Sequence, residues 1–128
     1  MNYYFSKTLS GDFNKTIEKV TEELKKEGFG VLTEIDVTAT FKKKLDVDFY
    51  NYRILGACNA PFAYKAIQAE DKVGIMLPCN VIVQEREKGK IEVSAVNPIA
   101  SMMAIENEEL GNIASEVVTK LQNVINNL

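Results

Sequence analysis

Two long segments, one near each end of the 128-residue chain, have apolar residues at the spacing of an α-helix. The first segment carries Phe13, Ile17, Val20 and Leu24. The second carries Leu110, Ile113, Ala114, Val117, Leu121, Val124 and Leu128. Such a stripe forms one apolar face of a helix. Because that face must be buried, each helix needs an apolar surface to pack on, and a sheet with one covered face provides it.

The segments between these two helices predict the strands of that sheet. They are rich in β-branched and aromatic residues, and several alternate apolar with polar side chains. The predicted strands are residues 2–9, 29–37, 49–58, 74–84 and 91–96. Shorter helices are predicted over 38–45 and 60–70. The element order is β-α-β-α-β-α-β-β-α, which indicates an α+β fold in one domain over residues 1–128.

Local signals indicate where several of these elements begin, end and turn. Asp12 can cap the first helix, because its carboxylate accepts hydrogen bonds from unpaired N–H groups. Gly28 can end that helix in the left-handed conformation. Lys88-Gly89 marks the turn of a hairpin formed by the last two strands. Asn97-Pro98 is typical of a further helix start.

The composition excludes several classes of active site. The chain has no histidine, which removes Ser-His and Cys-His nucleophile pairs and histidine zinc ligands. It has two cysteines, too few for a four-cysteine cluster within one chain. No catalytic residue is assigned, no cofactor is predicted, and the identity of any metal is left unknown.

Charge and hydropathy exclude some partners. The net charge is −3 and no basic stripe is present, so a nucleic-acid partner is not expected. No apolar run approaches the ~20 residues that span a bilayer, so no membrane association is expected. Residues 1–5 lack the basic start and long apolar stretch of a signal peptide. We therefore expect a soluble cytoplasmic protein with free cysteines.

Two segments in which cysteine is followed by asparagine form the main candidate site. In the first, Cys58 ends a predicted strand, Asn59 follows it, and Pro61 fits the first turn of the next helix. Unpaired N–H groups and the positive end of the helix dipole stabilise a thiolate at such a position. The second segment contains Pro78, Cys79 and Asn80. If the two strands are neighbours, both segments can line one pocket.

Three interpretations of these cysteines are open. Free cysteines are most often small buried apolar residues. Cys58 and Cys79 can instead be reactive or redox-active thiols. They can also bind a metal, since a symmetric dimer would bring four thiolates together.

Two carboxylates form a secondary candidate. Glu34 and Asp36 lie two residues apart on a predicted strand and therefore on the same face. Paired carboxylates can divide acid and base roles or hold a hard cation. They are more often the solvated face of a strand, and Asp36 can alternatively cap the helix that follows it.

At these segments the sequence resembles the bacterial and archaeal family catalogued as domain of unknown function 302. The pieces that carry the resemblance are 28–36 (GFGVLTEID), 55–61 (LGACNAP), 77–83 (LPCNVIV) and 89–93 (GKIEV) before Asn97-Pro98. Ala60 departs from the family, which often has proline directly after Cys-Asn. The resemblance implies a two-layer sandwich with a mainly antiparallel sheet covered by helices, often paired as a dimer. It also implies a shared site at 58–61 and 78–80, with Glu34 and Asp36 behind it.

These observations favour a small non-enzymatic homodimeric domain that binds a small ligand or a partner protein near the two Cys-Asn segments. One alternative is a thiol-based redox or metal-binding protein that uses Cys58 and Cys79. The other is a purely structural dimer module, in which the C-terminal helix packs against a second copy of itself.

Overall fold

In the computed structural model, which describes residues 2–128, the two long helices pack on one face of a five-stranded antiparallel sheet. The strands are β1 (Tyr4–Ser10), β2 (Gly30–Asp36), β3 (Asn51–Cys58), β4 (Cys79–Glu87) and β5 (Lys90–Val96). The helices are α1 (Phe13–Lys26), α2 (Val37–Leu45), α3 (Ala60–Ala69), α4 (Pro98–Ser101) and α5 (Glu108–Asn126). The strand order is β1-β5-β4-β3-β2, and every neighbouring pair is antiparallel. The α+β two-layer fold is therefore confirmed.

The core lies between the helix stripes and alternate residues of the central strands. Val20 and Leu24 of α1 and Leu121 and Val124 of α5 are fully buried. They share one apolar cluster with fully buried residues of β4 and β5: Val81, Val83, Ile91, Val93 and Ala95. Alternate residues of a strand point to opposite faces, so residues such as Ile82 and Ser94 lie on the other side of the sheet. We call that side the second face.

The apolar stripe of the C-terminal helix α5 is buried in this core. Its stripe residues from Leu110 to Val124 are buried, and the exposed positions of α5 are polar residues and one glycine. The helix therefore has no apolar face left for a second copy, and a dimer built on it lacks the surface that such packing needs.

The predicted helix ends are confirmed. The Asp12 carboxylate accepts a hydrogen bond from the backbone N–H of Lys15 at 3.0 Å. Gly28 has φ +86°, the left-handed conformation that glycine adopts without strain. The Asn97 side chain accepts from the N–H of Ile99 at 3.1 Å and caps the short helix α4.

The predicted strand over 74–84 begins too early. A 3₁₀ helix occupies Asp71–Met76, and β4 starts only at Cys79. Pro78 has no N–H to donate to a strand ladder, which explains why the strand begins directly after it.

A bulge in β2 changes which of its residues share a face. Val31 pairs with Ala57 and Thr33 with Gly56, so Leu32 is an extra residue on this strand. Paired residues of neighbouring strands lie on the same face. Val31 therefore shares a face with Glu34 and Asp36, whereas strict alternation along the strand would place it with Thr33 and Ile35. Periodicity alone could not show this, because one inserted residue reverses the alternation.

Within residues 2–128, no helix is both long enough and apolar enough to cross a membrane.

Candidate ligand-binding cavity

A cavity of about 330 Å³ lies beside the Cys-Asn segments, where β3 ends and β4 begins. Helices α3 and α5 form its walls together with the end of the sheet. The apolar lining includes Ala57, Phe62, Ala66, Leu77, Leu110 and Val117. Small-molecule sites in proteins are typically apolar clefts of ~300–1,000 Å³. This cavity has the size and lining of such a site.

Two solvent-exposed apolar side chains lie at the mouth of the cavity. Leu32, the extra residue of the β2 bulge, is 69% exposed, and Ile67 of α3 is 47% exposed, yet both line the cavity. Their exposure shows that the cavity opens to solvent between β2 and α3. A molecule that enters here would cover apolar surface that is otherwise hydrated.

Both cysteines line this cavity, on neighbouring strands. Cys79 pairs across the ladder with Ala57, the residue before Cys58, and both thiols are free. Burial raises the pKa of the Cys79 thiol to about 11, and the neighbouring Cys58 adds a smaller upward effect. Cys79 is therefore a neutral thiol at physiological pH, which works against thiolate chemistry at this residue.

Asn59 and Pro78 also line the cavity, and Asn59 has a structural partner as well. The Asn59 amide Nδ2 donates to the carbonyl of Glu27 at 3.2 Å, which ties the end of α1 to the start of α3. A Cβ at Gly28 would lie 3.0 Å from the same nitrogen, so glycine leaves room for this contact. Pro61 lies in the exposed first turn of α3 and is not part of the lining.

Asn80 does not belong to this cavity. It is exposed and pairs with Gly56 in the β3–β4 ladder, and it lines a separate groove of about 270 Å³ on the second face. Because successive strand residues point to opposite faces, Cys79 faces the core while Asn80 faces away from it. The structure therefore divides the Pro78–Asn80 segment between two surfaces.

Glu34 and Asp36 also lie outside the cavity, and both face Arg53. The Arg53 guanidinium forms an ion pair with Glu34 and a second with Asp36, the latter at 3.6 Å. It also lies 5.7 Å from the centre of the Phe13 ring. Asp36 additionally accepts from the N–H of Ala39 at 2.9 Å, as the cap of α2. These contacts give both carboxylates structural partners and place them away from the thiols.

The described residues contain no group of three or more cysteine and carboxylate side chains arranged to hold a metal ion.

Sequence reasoning missed the contribution of the helices to the cavity. The signal was a set of small residues that face it, Ala63 and Ala66 on α3 and Ala114 on α5. Each was visible in the sequence only as a helical or core residue. Small side chains at a contact between two helices leave space, but that contact exists only once α3 and α5 are packed together.

The model of the family described as "Domain of unknown function DUF302" matches residues 5–128. The chain is also similar to a crystal structure of an uncharacterised conserved DUF302 protein from Bacillus stearothermophilus. The two share 29% sequence identity, with a TM-score of 0.90 over 98% of each chain. A comparison with curated proteins gives no match.

Proposed function

Since the chain belongs to the DUF302 family, a family of unknown function, we propose its function from the cavity: it is a non-enzymatic protein that binds a small apolar molecule there. The observation that carries this proposal is an apolar cavity with a solvent-exposed apolar mouth. Within the described chain, no charged residue belongs to its lining, and the polar lining side chains are Thr33, Asn59 and the two thiols.

The physical basis is the apolar surface of the cavity. A ligand that enters it gains van der Waals contacts with the lining and removes apolar surface from water. With Cys79 protonated and no carboxylate in the lining, the described residues favour binding over acid–base catalysis.

The test uses N-phenyl-1-naphthylamine, a neutral fluorescent probe for apolar sites, with Ala63→Phe as the variant that fills the cavity. We expect the native protein to bind the probe and Ala63→Phe to bind it at least about tenfold more weakly, a difference of ~1.4 kcal/mol. Fluorescence titration measures the affinity. The melting temperature of the variant should stay unchanged or rise, because the ring fills existing space.

Ala39→Phe is the matched control, because Ala39 is exposed on α2 and does not line the cavity. It should bind the probe as the native protein does. Ala66→Leu adds a smaller group to the same wall and should weaken binding less than Ala63→Phe. Equal probe affinity in Ala63→Phe and the native protein would contradict the proposal.

We also propose that two copies of the chain pair through the second face of the sheet. Four of the five tyrosines lie at this face. Tyr3 and Tyr4 line its groove. The Tyr50 hydroxyl accepts a hydrogen bond from Gln84, which also lines the groove. Tyr52 lies beside Tyr50, with ring centres 6.1 Å apart. Tyrosine is enriched in protein interfaces.

The charges on this face suit a symmetric pair. The groove contains one cation, Arg86, and one anion, Glu92, among its described lining residues. A two-fold interface brings the same surface of each copy together, so a face of one sign would repel itself. A face on which the charges balance does not repel its copy. Two free thiols favour a reducing compartment, and we place this assembly in the cytoplasm.

Ile82→Glu tests the dimer, because Ile82 is a half-buried residue in the groove of the second face. We expect the native protein to sediment as a dimer and Ile82→Glu as a monomer with the same circular dichroism spectrum, because the carboxylate would have to be desolvated in the interface. Ile75→Glu is the control, since Ile75 is 79% exposed outside this face. A native protein that sediments as a monomer refutes the proposal.

A further inference from the structure

Two lysines lie at one aromatic wall of the cavity. Phe62 lines the cavity from α3, and the ammonium groups of Lys65 and Lys120 each lie 5.9 Å from the centre of its ring. Lys65 is on α3, whereas Lys120 is on α5. Since both ammonium groups are measured from the same ring centre, they are at most about 12 Å apart.

Neither lysine has a charged partner in the described part of the chain. Within residues 2–128, Lys65 and Lys120 form no ion pair, in contrast to Lys26, Lys42, Lys72 and Lys90. Glu116 lies one helical turn before Lys120, but no ion pair joins them. Both ammonium groups therefore remain available to an anion at the edge of an apolar cavity.

We infer that the ligand of the cavity is an amphipathic anion, a long-chain carboxylate, whose tail occupies the cavity and whose carboxylate is bound by Lys65 and Lys120. This inference rests on the proposed ligand-binding function and names its chemical class. The uncharged lining accepts a hydrocarbon chain, while a carboxylate placed inside it would be costly to desolvate. The two lysines instead offer the carboxylate positive charge beside the Phe62 ring, outside the apolar lining.

The geometry of the lysine side chains supports this arrangement. Long lysine stems pack along apolar surface and leave the ammonium group in water. Here both stems bring their charges to the same ring, and the ring belongs to the cavity wall. A ligand whose carboxylate lies beside the Phe62 ring would therefore be near both charges. An uncharged ligand of equal length would gain nothing from them.

The experiment compares dodecanoate with 1-dodecanol, two probes that share a chain and differ in the charge of the head. Each displaces N-phenyl-1-naphthylamine from the native protein at about pH 8 and low ionic strength, below the concentration at which micelles form. The carboxylate is fully ionised under these conditions. We expect dodecanoate to bind on the order of fivefold to tenfold more tightly than 1-dodecanol, and added salt to reduce this ratio.

The double variant Lys65→Gln/Lys120→Gln should lower the affinity for dodecanoate to that for 1-dodecanol and leave the alcohol's affinity unchanged. Lys88→Gln/Lys90→Gln is the matched control, because it makes the same charge change at the hairpin, at the opposite end of β4 from Cys79. It should keep the native preference. The single variants Lys65→Gln and Lys120→Gln give the same comparison if the double variant folds poorly.

The possible outcomes distinguish the inferred ligand class from the proposed binding function. Equal affinities for dodecanoate and 1-dodecanol in the native protein would overturn this inference and leave the proposed binding function intact. A preference that survives in Lys65→Gln/Lys120→Gln would also overturn it, because the charge would then act elsewhere. Absence of binding by both probes and by N-phenyl-1-naphthylamine would refute the proposed function itself.

Discussion

Gly56→Val is expected to lower the free energy of unfolding by about 3 kcal/mol or more, because a side chain at this position has no space. Gly56 is buried in β3, and a Cβ there would overlap the Thr33 hydroxyl and lie 2.9 Å from Cγ of Pro78. The proline ring is rigid, and the β-branched threonine has few alternative rotamers. Thr33 would have to leave its present rotamer, and Pro78 cannot move away without shifting its backbone.

Urea denaturation of Gly56→Val and Gly30→Val gives the measurement and its control. Gly30 pairs with Cys58 in the adjoining part of the same ladder, but a Cβ there meets no atom within 4 Å. Gly30→Val should therefore change the free energy of unfolding little. Similar losses in the two variants would mean that valine disturbs this ladder generally and that the close approach at Gly56 is unimportant.

The effect at Gly56 also concerns the cavity. Thr33 directly follows the bulge residue Leu32, which lines the mouth, and Pro78 directly precedes Cys79, which lines the interior. Gly56 lets these two segments approach the same point of β3. We expect any folded fraction of Gly56→Val to bind N-phenyl-1-naphthylamine more weakly than the native protein, because both segments would be displaced.

Leu121→Ala is expected to lower the free energy of unfolding by ~2–5 kcal/mol. Leu121 is fully buried in the middle of α5, within the cluster that joins both long helices to the sheet. Its truncation removes apolar contacts and leaves a cavity that the packed surroundings fill only in part. The loss is measured by urea denaturation at several protein concentrations.

Leu45→Ala is the matched control, because Leu45 ends α2 and is 65% exposed. Leu45→Ala should lower the free energy of unfolding far less than Leu121→Ala, because little buried apolar surface is lost. The concentration series separates two roles for α5: a core residue gives the same difference at every concentration, whereas an interface residue gives one that changes with dimer dissociation. If the loss of unfolding free energy in Leu121→Ala depends on protein concentration, the C-terminal helix is a dimer contact.

The candidate site was only partly accessible from the sequence. The two cysteine segments pointed to Cys58, Asn59, Pro78 and Cys79, which line one cavity. The same reasoning grouped Asn80 with them because it is adjacent in the chain. Adjacency along a strand places neighbours on opposite faces, so the grouping failed at the first residue after Cys79.

Glu34 and Asp36 were separated from the site for a different reason. Their common face follows from the alternation of the strand, but their partner does not. Arg53 reaches both carboxylates because β2 and β3 pair in a register that sets Asp36 opposite Arg53. Register depends on the bulge and on the packing of both strands, and neither is visible in a single segment.

The sequence by itself determined the helices, their caps and the order of elements, because helical spacing and capping act within a few residues of the chain. Asp12, Gly28 and Asn97 are examples of such local signals. Tertiary structure alone decided the bulge at Leu32, the separation of Cys79 from Asn80, and the meeting of Lys65 and Lys120 at Phe62. Each of these depends on how distant segments pair or pack, and the cavity exists only in the space that this packing leaves.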